Sequence, residues 1–499
     1  MSNKLMNSED TITSYETYEN WARQEQGIQA PKIKITSIDN IERKIEAIEE
    51  IHPNERIMFI PSSALISRSN VALTELSECS IPRNDDIRKA EYEAMIEITR
   101  IQKMVKEEWG GEWRNDDTIA LFLIAGKKII NDYGLPDVLS QDNIPSAEPL
   151  VSQDDAIHLD AQVISIENPT SNPSSYLHHI SILPKSFPSI PLYFNPDEIT
   201  KLEGTNCHVY TTRMQHQTQN DYERLLSILQ SSTLPEFTLE DYKWAMCNIF
   251  SRSTDFFVEE EGIKRVIAPM FDCMNHSFES QVYHSMDVQG NISVFNGNTA
   301  IPANEEVFLN YGHFPNEKLL LVYGFTTLPN PYDAVQLYAP IPTTDPLYML
   351  KTNMLVNQFG MNHSDPDLLT LETPLPSTLL TKLRITGIKD EMELLHLVSK
   401  SLDEKQVSFI SVENERNGLK ALEYALYGMT RQIALNLIHD DNLNAGALSS
   451  TEKNVEDVTV VEEQEINFRN AKTLCSVEYE ILIAALNEVR DCLGRLDID

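Results

Sequence analysis

The segment APMFDCMNHS, from Ala268 to Ser277, begins like a buried strand and ends with an aspartate, an asparagine and a histidine within five residues. A carboxylate, an amide and an imidazole are costly to bury unless each of them finds a hydrogen-bond partner. A bound ligand can be such a partner. The segment therefore indicates a buried polar site at the end of an apolar stretch.

Two other segments carry similar combinations: FSR (Phe250–Arg252) and EEVFLNYGHFPNEKLLLVYGF (Glu305–Phe325). Taken alone, each has a structural interpretation. A tyrosine such as Tyr311 is typical of the end of an amphipathic strand. A single histidine such as His276 is most often a core residue, and LLLVYGF is typical of a buried strand or helix end.

Taken together and in this order, the segments resemble the motifs of SET-domain protein methyltransferases. The resemblance is to the branch that includes the Rubisco large-subunit lysine methyltransferase and the actin-histidine methyltransferase. Four further segments support it: NERIMFIPSSALIS (54–67), ILPKSFPSIPLYFNPDEITKLEGT (182–205), TLEDYKWAMCNIFSR (238–252) and NFRNAKTLCSVEYEILIAALNEV (467–489).

The resemblance implies an α+β fold in which small curled β-sheets are split by a helical insertion and followed by an all-helical, substrate-binding C-terminal lobe. The SET domain is expected over residues 1–338, with the insertion at about 85–240 and a flexible Ser/Asp/Pro-rich loop at about 140–175. The helical lobe is expected over 339–499. An acidic tract at about 440–465 has the composition of a disordered segment.

The cofactor implied by the resemblance is S-adenosylmethionine. Asn275 and His276 match the positions that present groups to the amino-acid and adenine parts of that cofactor. Arg252 matches the position that pairs with its carboxylate, an anion that suits a planar guanidinium. Asp272 is expected to brace the segment rather than to touch a reacting atom.

Tyr311 matches the family's catalytic tyrosine. Methyl transfer from a sulfonium is an in-line displacement, so the enzyme must align a neutral nucleophile and exclude water. Tyr323 and Phe325 are expected to bind the substrate, because aromatic faces attract an ammonium group.

Two departures from the family pattern are visible. Counting back from the shared HPNE turn puts Glu42, Arg43 and Lys44 where the family has a Gly-x-Gly turn beside the cofactor. Glycine alone allows positive φ and close approach freely, so these side chains could block the cofactor or redirect the backbone. Thr254 stands where the family has Phe or Asn, and it favours neither lysine nor histidine as the target.

The predicted function is S-adenosylmethionine-dependent methylation of a lysine side chain in a non-histone protein, with histidine as the lesser alternative. Two other hypotheses stay open. The chain could be a SET-like scaffold that binds a partner without cofactor, or a helical adaptor with an incidental motif match.

Composition limits the partners. Acidic residues outnumber basic ones 76 to 40, and the net charge of −36 disfavours nucleic acid as a ligand. The six cysteines lie far apart without metal-binding spacing, so neither a metal site nor a disulfide framework is expected. With no membrane-length apolar run and no signal-peptide pattern, we expect a location in the cytoplasm or nucleus, and a plastid location stays open. We also expect a monomer.

Overall fold

The computed structural model describes residues 8–38, 42–71, 86–107, 113–136, 175–258, 262–400, 407, 409–444 and 455–497. The predicted flexible loop at about 140–175 lies outside the described residues, apart from Ser175. Helices and small sheets both contribute to the described chain, which confirms the α+β class.

Helices make up most of the described chain. They are α1 (Ser8–Gln24), α2 (Arg68–Val71), α3 (Asp86–Glu107), α4 (Asn115–Tyr133), α5 (Leu177–Ile182), α6 (Pro196–Thr200), α7 (Asn206–Ile228), α8 (Leu239–Arg252), α9 (Asn316–Tyr323), α10 (Tyr348–Phe359), α11 (Ser377–Gly387), α12 (Glu391–Lys400), α13 (Val412–Asn444) and α14 (Val455–Leu496).

The strands are short and form four small sheets with the orders β1-β2, β3-β8-β7, β4-β6-β5 and β10-β9. Every strand pair in these sheets is antiparallel. The strands are β1 (Ile33–Ile38), β2 (Glu42–Ala47), β3 (Arg56–Ile60), β4 (Ile66–Ser67), β5 (Ser253–Val258), β6 (Gly262–Ile267), β7 (Tyr283–Met286), β8 (Ile292–Phe295), β9 (Val335–Leu337) and β10 (Asp367–Leu369).

The chain divides into two compact units. The first unit comprises residues 1–186 and 219–313, and the second comprises 187–218 and 314–499. The core of the first unit is built from the inner faces of β1, β2, β3 and β8. Trp21 of α1 and Phe271 are also buried in it.

In the first unit the helix α4 packs against α3 and α8. Its middle, from Thr118 to Gly126, is buried on every side, which explains why the sequence there is a continuous apolar run rather than a stripe. None of the helices in the described part of the chain is long and apolar enough to cross a membrane.

In the second unit the long helices α13 and α14 pack against each other, and α11 packs against α13. The segment 187–218 belongs to this unit because Phe194, Leu202 and Cys207 share a buried cluster with Leu320 and Leu474. The predicted domain boundary at 338/339 assigned this segment and residues 314–338 to the SET domain. The compact units therefore divide the chain differently from the predicted domains.

The acidic tract predicted as disordered at about 440–465 is helical wherever the structure describes it. Helix α13 continues to Asn444 and α14 begins at Val455. Because each residue added to an existing helix gains a hydrogen bond without a new nucleation step, packed helices can extend into polar sequence. Residues 445–454 lie outside the described part.

Two segments whose sequences resemble strands do not form complete strands. EEVFLNYG (305–312) forms only isolated bridges, at Glu306 with Glu46 and at Leu309 with His276. Within RVIAPMFDCMNHS, strand β6 ends at Ile267 and a single 3₁₀ turn follows at Phe271–Cys273. Each neighbouring segment forms a single bridge with the 305–312 stretch, so no continuous ladder develops.

Candidate active site

The segments around His276 and Leu309 lie side by side in parallel. The Leu309 N–H donates to the Asn275 carbonyl at 2.8 Å, and the Ser277 N–H donates to the Leu309 carbonyl at 3.1 Å. This pairing brings Met274 and Tyr311, 37 residues apart in sequence, into contact. The two sequence motifs thus form one structural element.

Tyr311 is held by two hydrogen bonds to this element. Its hydroxyl donates to the Met274 carbonyl at 2.7 Å, and its backbone N–H donates to His276 Nδ1 at 3.1 Å. Because Nδ1 accepts a hydrogen bond, the imidazole is in the neutral form with its proton on Nε2. Burial agrees with this state, since it lowers the pKa of His276.

Asn275 joins the same element to β2. Its Nδ2 donates to the Arg43 carbonyl at 3.0 Å and to Glu306 Oε1 at 2.9 Å. Both amide hydrogens are therefore committed to protein groups.

Arg252 is the last residue of α8, whose start is capped by Thr238 and Asp241 in a reciprocal capping box. Its Nη1 donates to the Asp272 carbonyl at 2.7 Å and lies 3.6 Å from Asp272 Oδ2. Its Nε is buried and makes no hydrogen bond to the described residues. Burial lowers the pKa of this guanidinium, and Arg43 lowers it further.

The side chain of Asp272 is completely buried, and it faces a second partner that the sequence motifs did not include. His179 Nε2 lies 3.5 Å from Asp272 Oδ2, and His179 Nδ1 is 2.9 Å from the Tyr18 hydroxyl. That hydroxyl accepts the Met270 N–H at 2.9 Å, so its own proton is free to go to Nδ1. The remaining imidazole proton on Nε2 then faces the carboxylate, and burial lowers the pKa of His179 to about 4.

This chain of contacts agrees with the expected bracing role of Asp272. The Tyr18 hydroxyl also stabilises the backbone of Met270, whose φ of +66° is unusual for a residue with a side chain. Tyr18 and His179 were missed because nothing in their local sequence points to Asp272. A pair of histidines inside the apolar stretch SYLHHISI was the one available signal.

The stretch that replaces the Gly-x-Gly turn is an ordinary strand. Arg43 pairs with Ser37 and Lys44 pairs with Thr36 in the antiparallel β1–β2 ladder. Glu42, Arg43 and Lys44 are not among the described residues with positive φ. The loss of glycine therefore requires no left-handed backbone here.

The predicted substrate residues Tyr323 and Phe325 lie in the second unit, at the end of α9 and just after it. Their ring centroids are 6.3 Å apart, and Tyr323 stacks on Phe314 at 6.5 Å. Their role stays a prediction. No group of three or more His, Cys, Asp or Glu side chains in the described ranges is arranged to hold a metal ion.

The first unit thus brings together four of the predicted site residues: Arg252, Asn275, His276 and Tyr311. The charges of Arg43 and Asp272 both act on Arg252. A tyrosine hydroxyl and buried guanidinium donors near one carboxylate can bind an anionic group and orient a polar reactant.

Comparison with known proteins supports this interpretation. The chain is 29% identical over 205 residues to the ribosomal lysine N-methyltransferase set10 of Schizosaccharomyces pombe, which covers 40% of this chain and 37% of that protein. It is 24% identical over 338 residues to the actin-histidine N-methyltransferase of Xenopus tropicalis, covering 64% and 55%. The matches thus span from about a third to about half of the length of these relatives.

Several solved structures match nearly the whole chain. The SET domain of LSMT bound to lysine and AdoHcy has a TM-score of 0.67 at 18% identity, covering 97% of this chain and 93% of that one. Rubisco LSMT bound to AdoMet has a TM-score of 0.66 at 17% identity with the same coverage. No family model matches the chain. The relatives and the solved structures confirm the predicted resemblance and the SET fold.

Proposed function

We propose that this SET-fold chain is an S-adenosylmethionine-dependent protein methyltransferase that acts on a lysine side chain. The observation that carries the proposal is the parallel pairing of His276 with Leu309. That pairing holds the Tyr311 hydroxyl against the Met274 carbonyl, in the same unit as the Arg252 guanidinium. The relatives with related sequences are named as methyltransferases of proteins.

The buried groups fit the cofactor. Arg252 Nε is a buried donor without an acceptor among the described residues, and a carboxylate is the anion that a guanidinium binds best. Neighbouring folds carry AdoMet or AdoHcy, as the names of their structures state. When bound, S-adenosylmethionine supplies an electrophilic methyl carbon on a sulfonium.

Tyr311 would position the acceptor nitrogen. Because its hydroxyl proton is directed to the Met274 carbonyl, its oxygen lone pairs are available to attract an amine N–H or a polarised methyl group. The acceptor must be neutral to attack, and burial of an ammonium group lowers its pKa. Tyr311 packs against the core of the first unit, so its ring is held in place.

Tyr323 and Phe325 are proposed to bind the substrate through their aromatic faces. Aromatic faces attract cations and disfavour bulk water. They therefore suit the ammonium group of a lysine side chain before it loses its proton. Burial raises the pKa of Tyr323 to about 12, so its hydroxyl stays protonated at neutral pH.

Lysine is the proposed acceptor because the relative from Schizosaccharomyces pombe is named for ribosomal lysine, and the matched LSMT structure contains lysine. Histidine is the competing acceptor, since other relatives are actin-histidine methyltransferases. The net charge of −36 favours a target within a basic protein surface.

The test is methyl transfer with radiolabelled cofactor in a protein lysate, followed by complete acid hydrolysis and amino-acid analysis. Labelled methyllysine supports the proposal. Labelled methylhistidine would keep the methyltransferase and overturn the choice of acceptor. No labelled amino acid, together with no calorimetric binding of AdoHcy, would favour the scaffold hypothesis, which the methyltransferase relatives do not support.

A further inference from the structure

Arg43 projects into the core side of β2. Side chains alternate between the two faces of a strand, and Ile45 and Ala47, which share the face of Arg43, are fully buried. Both terminal nitrogens of Arg43, Nη1 and Nη2, are buried and make no hydrogen bond to the described residues. A guanidinium held in this way is costly unless an anion joins it.

Burial by itself would lower the pKa of Arg43, but its ionisable neighbours Cys273, Asp272, Tyr15 and Tyr18 raise it overall. Burial raises the pKa of the Cys273 thiol to about 12 and also raises the pKa of the Tyr18 phenol, so both are neutral at physiological pH. Asp272 is the carboxylate among these four, and its side chain also faces Arg252.

Two guanidinium groups therefore act on one buried carboxylate. Arg252 is 3.6 Å from Asp272 Oδ2, and the charge of Arg43 disfavours the charged form of Arg252. On these two arginines, three buried nitrogens lack an acceptor among the described residues: Nη1 and Nη2 of Arg43 and Nε of Arg252. Three donors of this kind suit one additional carboxylate, whose two oxygens accept hydrogen bonds from guanidinium groups.

We propose that Arg43 binds the carboxylate of the cofactor together with Arg252, an inference that rests on the proposed function. Arg43 stands at the middle position of the stretch that replaces the glycine turn. In the family, the backbone of the glycine turn lies close to the cofactor. In this chain, the charged side chain of Arg43 would contact the cofactor instead. The Asn275 amide fixes the start of that side chain by holding the Arg43 carbonyl at 3.0 Å.

The opposing hypothesis is that Arg43 obstructs the cofactor site. An arginine that closed the site in the free protein would be stabilised by acceptors on its own chain, because buried donors are nearly always paired. Among the residues that the structure describes, the two terminal nitrogens of Arg43 have no acceptor, which is the reverse of this expectation. The Arg43 nitrogens therefore favour binding of an external acceptor over obstruction of the cofactor site.

The experiment compares two ligands by isothermal titration calorimetry. AdoHcy contains the carboxylate, and 5′-methylthioadenosine lacks the whole amino-acid portion. The variants are R43M, which removes the charge, and K44M as the matched control. Lys44 lies on the opposite face of β2, where it pairs with Glu46 at 3.2 Å.

We expect R43M to weaken AdoHcy binding by roughly 10- to 100-fold, the range for losing hydrogen bonds between charged groups. Binding of methylthioadenosine should change by less than about threefold, and K44M should bind both ligands as the wild type does. The thermal unfolding midpoint of ligand-free R43M should stay close to that of the wild type, because the burial cost of the Arg43 charge is offset by neighbours such as Asp272. A purely structural arginine would lower it.

Unchanged or tighter AdoHcy binding by R43M would overturn the inference while leaving the proposed function intact. If R43M destabilises the protein, R43K decides, because lysine keeps the charge but not the bidentate geometry. Weaker AdoHcy binding by R43K with unchanged methylthioadenosine binding supports the inference, and unchanged AdoHcy binding overturns it. Failure of the wild type and all variants to bind AdoHcy would end both proposals.

Discussion

The side-chain amide of Asn275 donates to the backbone carbonyl of Arg43 across 232 residues of sequence. The second amide hydrogen goes to Glu306 Oε1 at 2.9 Å. One side chain therefore joins three segments: strand β2, the element around His276, and the stretch before Tyr311. The arrangement of these three segments depends on the Asn275 side-chain NH₂ group, which donates both of its hydrogens.

Replacing Asn275 by Asp should destabilise the first unit. The new carboxylate would face a carbonyl and the Glu306 carboxylate instead of donating to them, and we expect a loss of about 2–4 kcal/mol at pH 7.5. Two carboxylates this close share a proton at lower pH, so the deficit relative to the wild type should shrink at pH 5. Denaturant unfolding followed by tryptophan fluorescence measures it.

The matched control is N298D, because Asn298 is an exposed residue of the same unit. It should change the unfolding free energy by no more than about 0.5 kcal/mol. Tryptophan fluorescence suits the comparison, since all four tryptophans fall within the residue ranges of the first unit. An N275D deficit that is equal at both pH values would contradict the shared proton.

Replacing Tyr311 by Phe should separate catalysis from cofactor binding. The ring stays, but the hydroxyl that would position the acceptor is lost, and we expect methyl transfer to fall by about 100-fold or more. The AdoHcy dissociation constant should change by less than about threefold, because the predicted carboxylate contacts are intact. Single-turnover transfer and calorimetry measure the two effects.

Y283F is the control for Tyr311, because Tyr283 is half exposed on β7 and its ring stacks on Phe295. It should leave both measurements unchanged. Full methyl transfer by Y311F would remove Tyr311 from the catalytic role, whatever its effect on binding.

The candidate site could be predicted from sequence because its motif residues are concentrated in short segments with a fixed order. Arg252, Asn275, His276 and Tyr311 each stand in such a segment. His179 could not be predicted, because its contact with Tyr18 spans 161 residues and depends on tertiary packing. The local sequence around His179 does not indicate that Tyr18 lies close to it in the fold.

Strand β2 is also difficult to recognise from its sequence. In ERKIEA the core-facing positions are Arg43, Ile45 and Ala47, so a charged residue interrupts the alternation that predicts a half-buried strand. The assignment of 187–218 to the second unit was missed as well. Apolar periodicity indicates that a helix buries one face, but it does not indicate which distant helix covers that face.

Replacing Tyr18 by Phe should remove a buried junction. The Tyr18 hydroxyl accepts the Met270 N–H and contacts His179 Nδ1, both at 2.9 Å. Its loss leaves a backbone donor and a ring nitrogen buried without partners, which should lower the unfolding free energy by about 1–3 kcal/mol. The Y283F variant serves again as the exposed control, and equal stability of the two variants would contradict the junction.

The stability of the first unit should fall between pH 6.5 and pH 4. Burial lowers the pKa of His179 from 6.5 to about 4, so the native state keeps the ring neutral while the unfolded chain takes up a proton. The stabilisation is therefore complete above pH 6.5 and is lost as the pH falls towards 4. By linkage it amounts to no more than about 3 kcal/mol.

The H179Q variant, which cannot titrate, should show a shallower decline of the unfolding free energy over this pH range. The control is H52Q, because the His52 side chain is 66% exposed. A decline as steep in H179Q as in the wild type would assign the pH dependence to other groups.

Replacing Gly204 by Ala should destabilise the second unit. Gly204 has a φ of +91°, and a Cβ there would lie 2.8 Å from Ile433 Cγ1 and 2.9 Å from the Ile433 backbone nitrogen. The backbone of α13 cannot move away from such a contact without loss of helix packing, so the clash adds to the strain of positive φ.

Gly360 provides the matched control, with a φ of +65° and no atom within 4 Å of the added Cβ. G360A should cost about 1–2 kcal/mol from the backbone alone. The loss in G204A should exceed that by at least about 1 kcal/mol because of overpacking. Denaturant unfolding followed by far-ultraviolet circular dichroism, which detects the long helices, measures both variants. Equal losses would mean that the segment containing Gly204 does not pack against α13 as closely as these distances require.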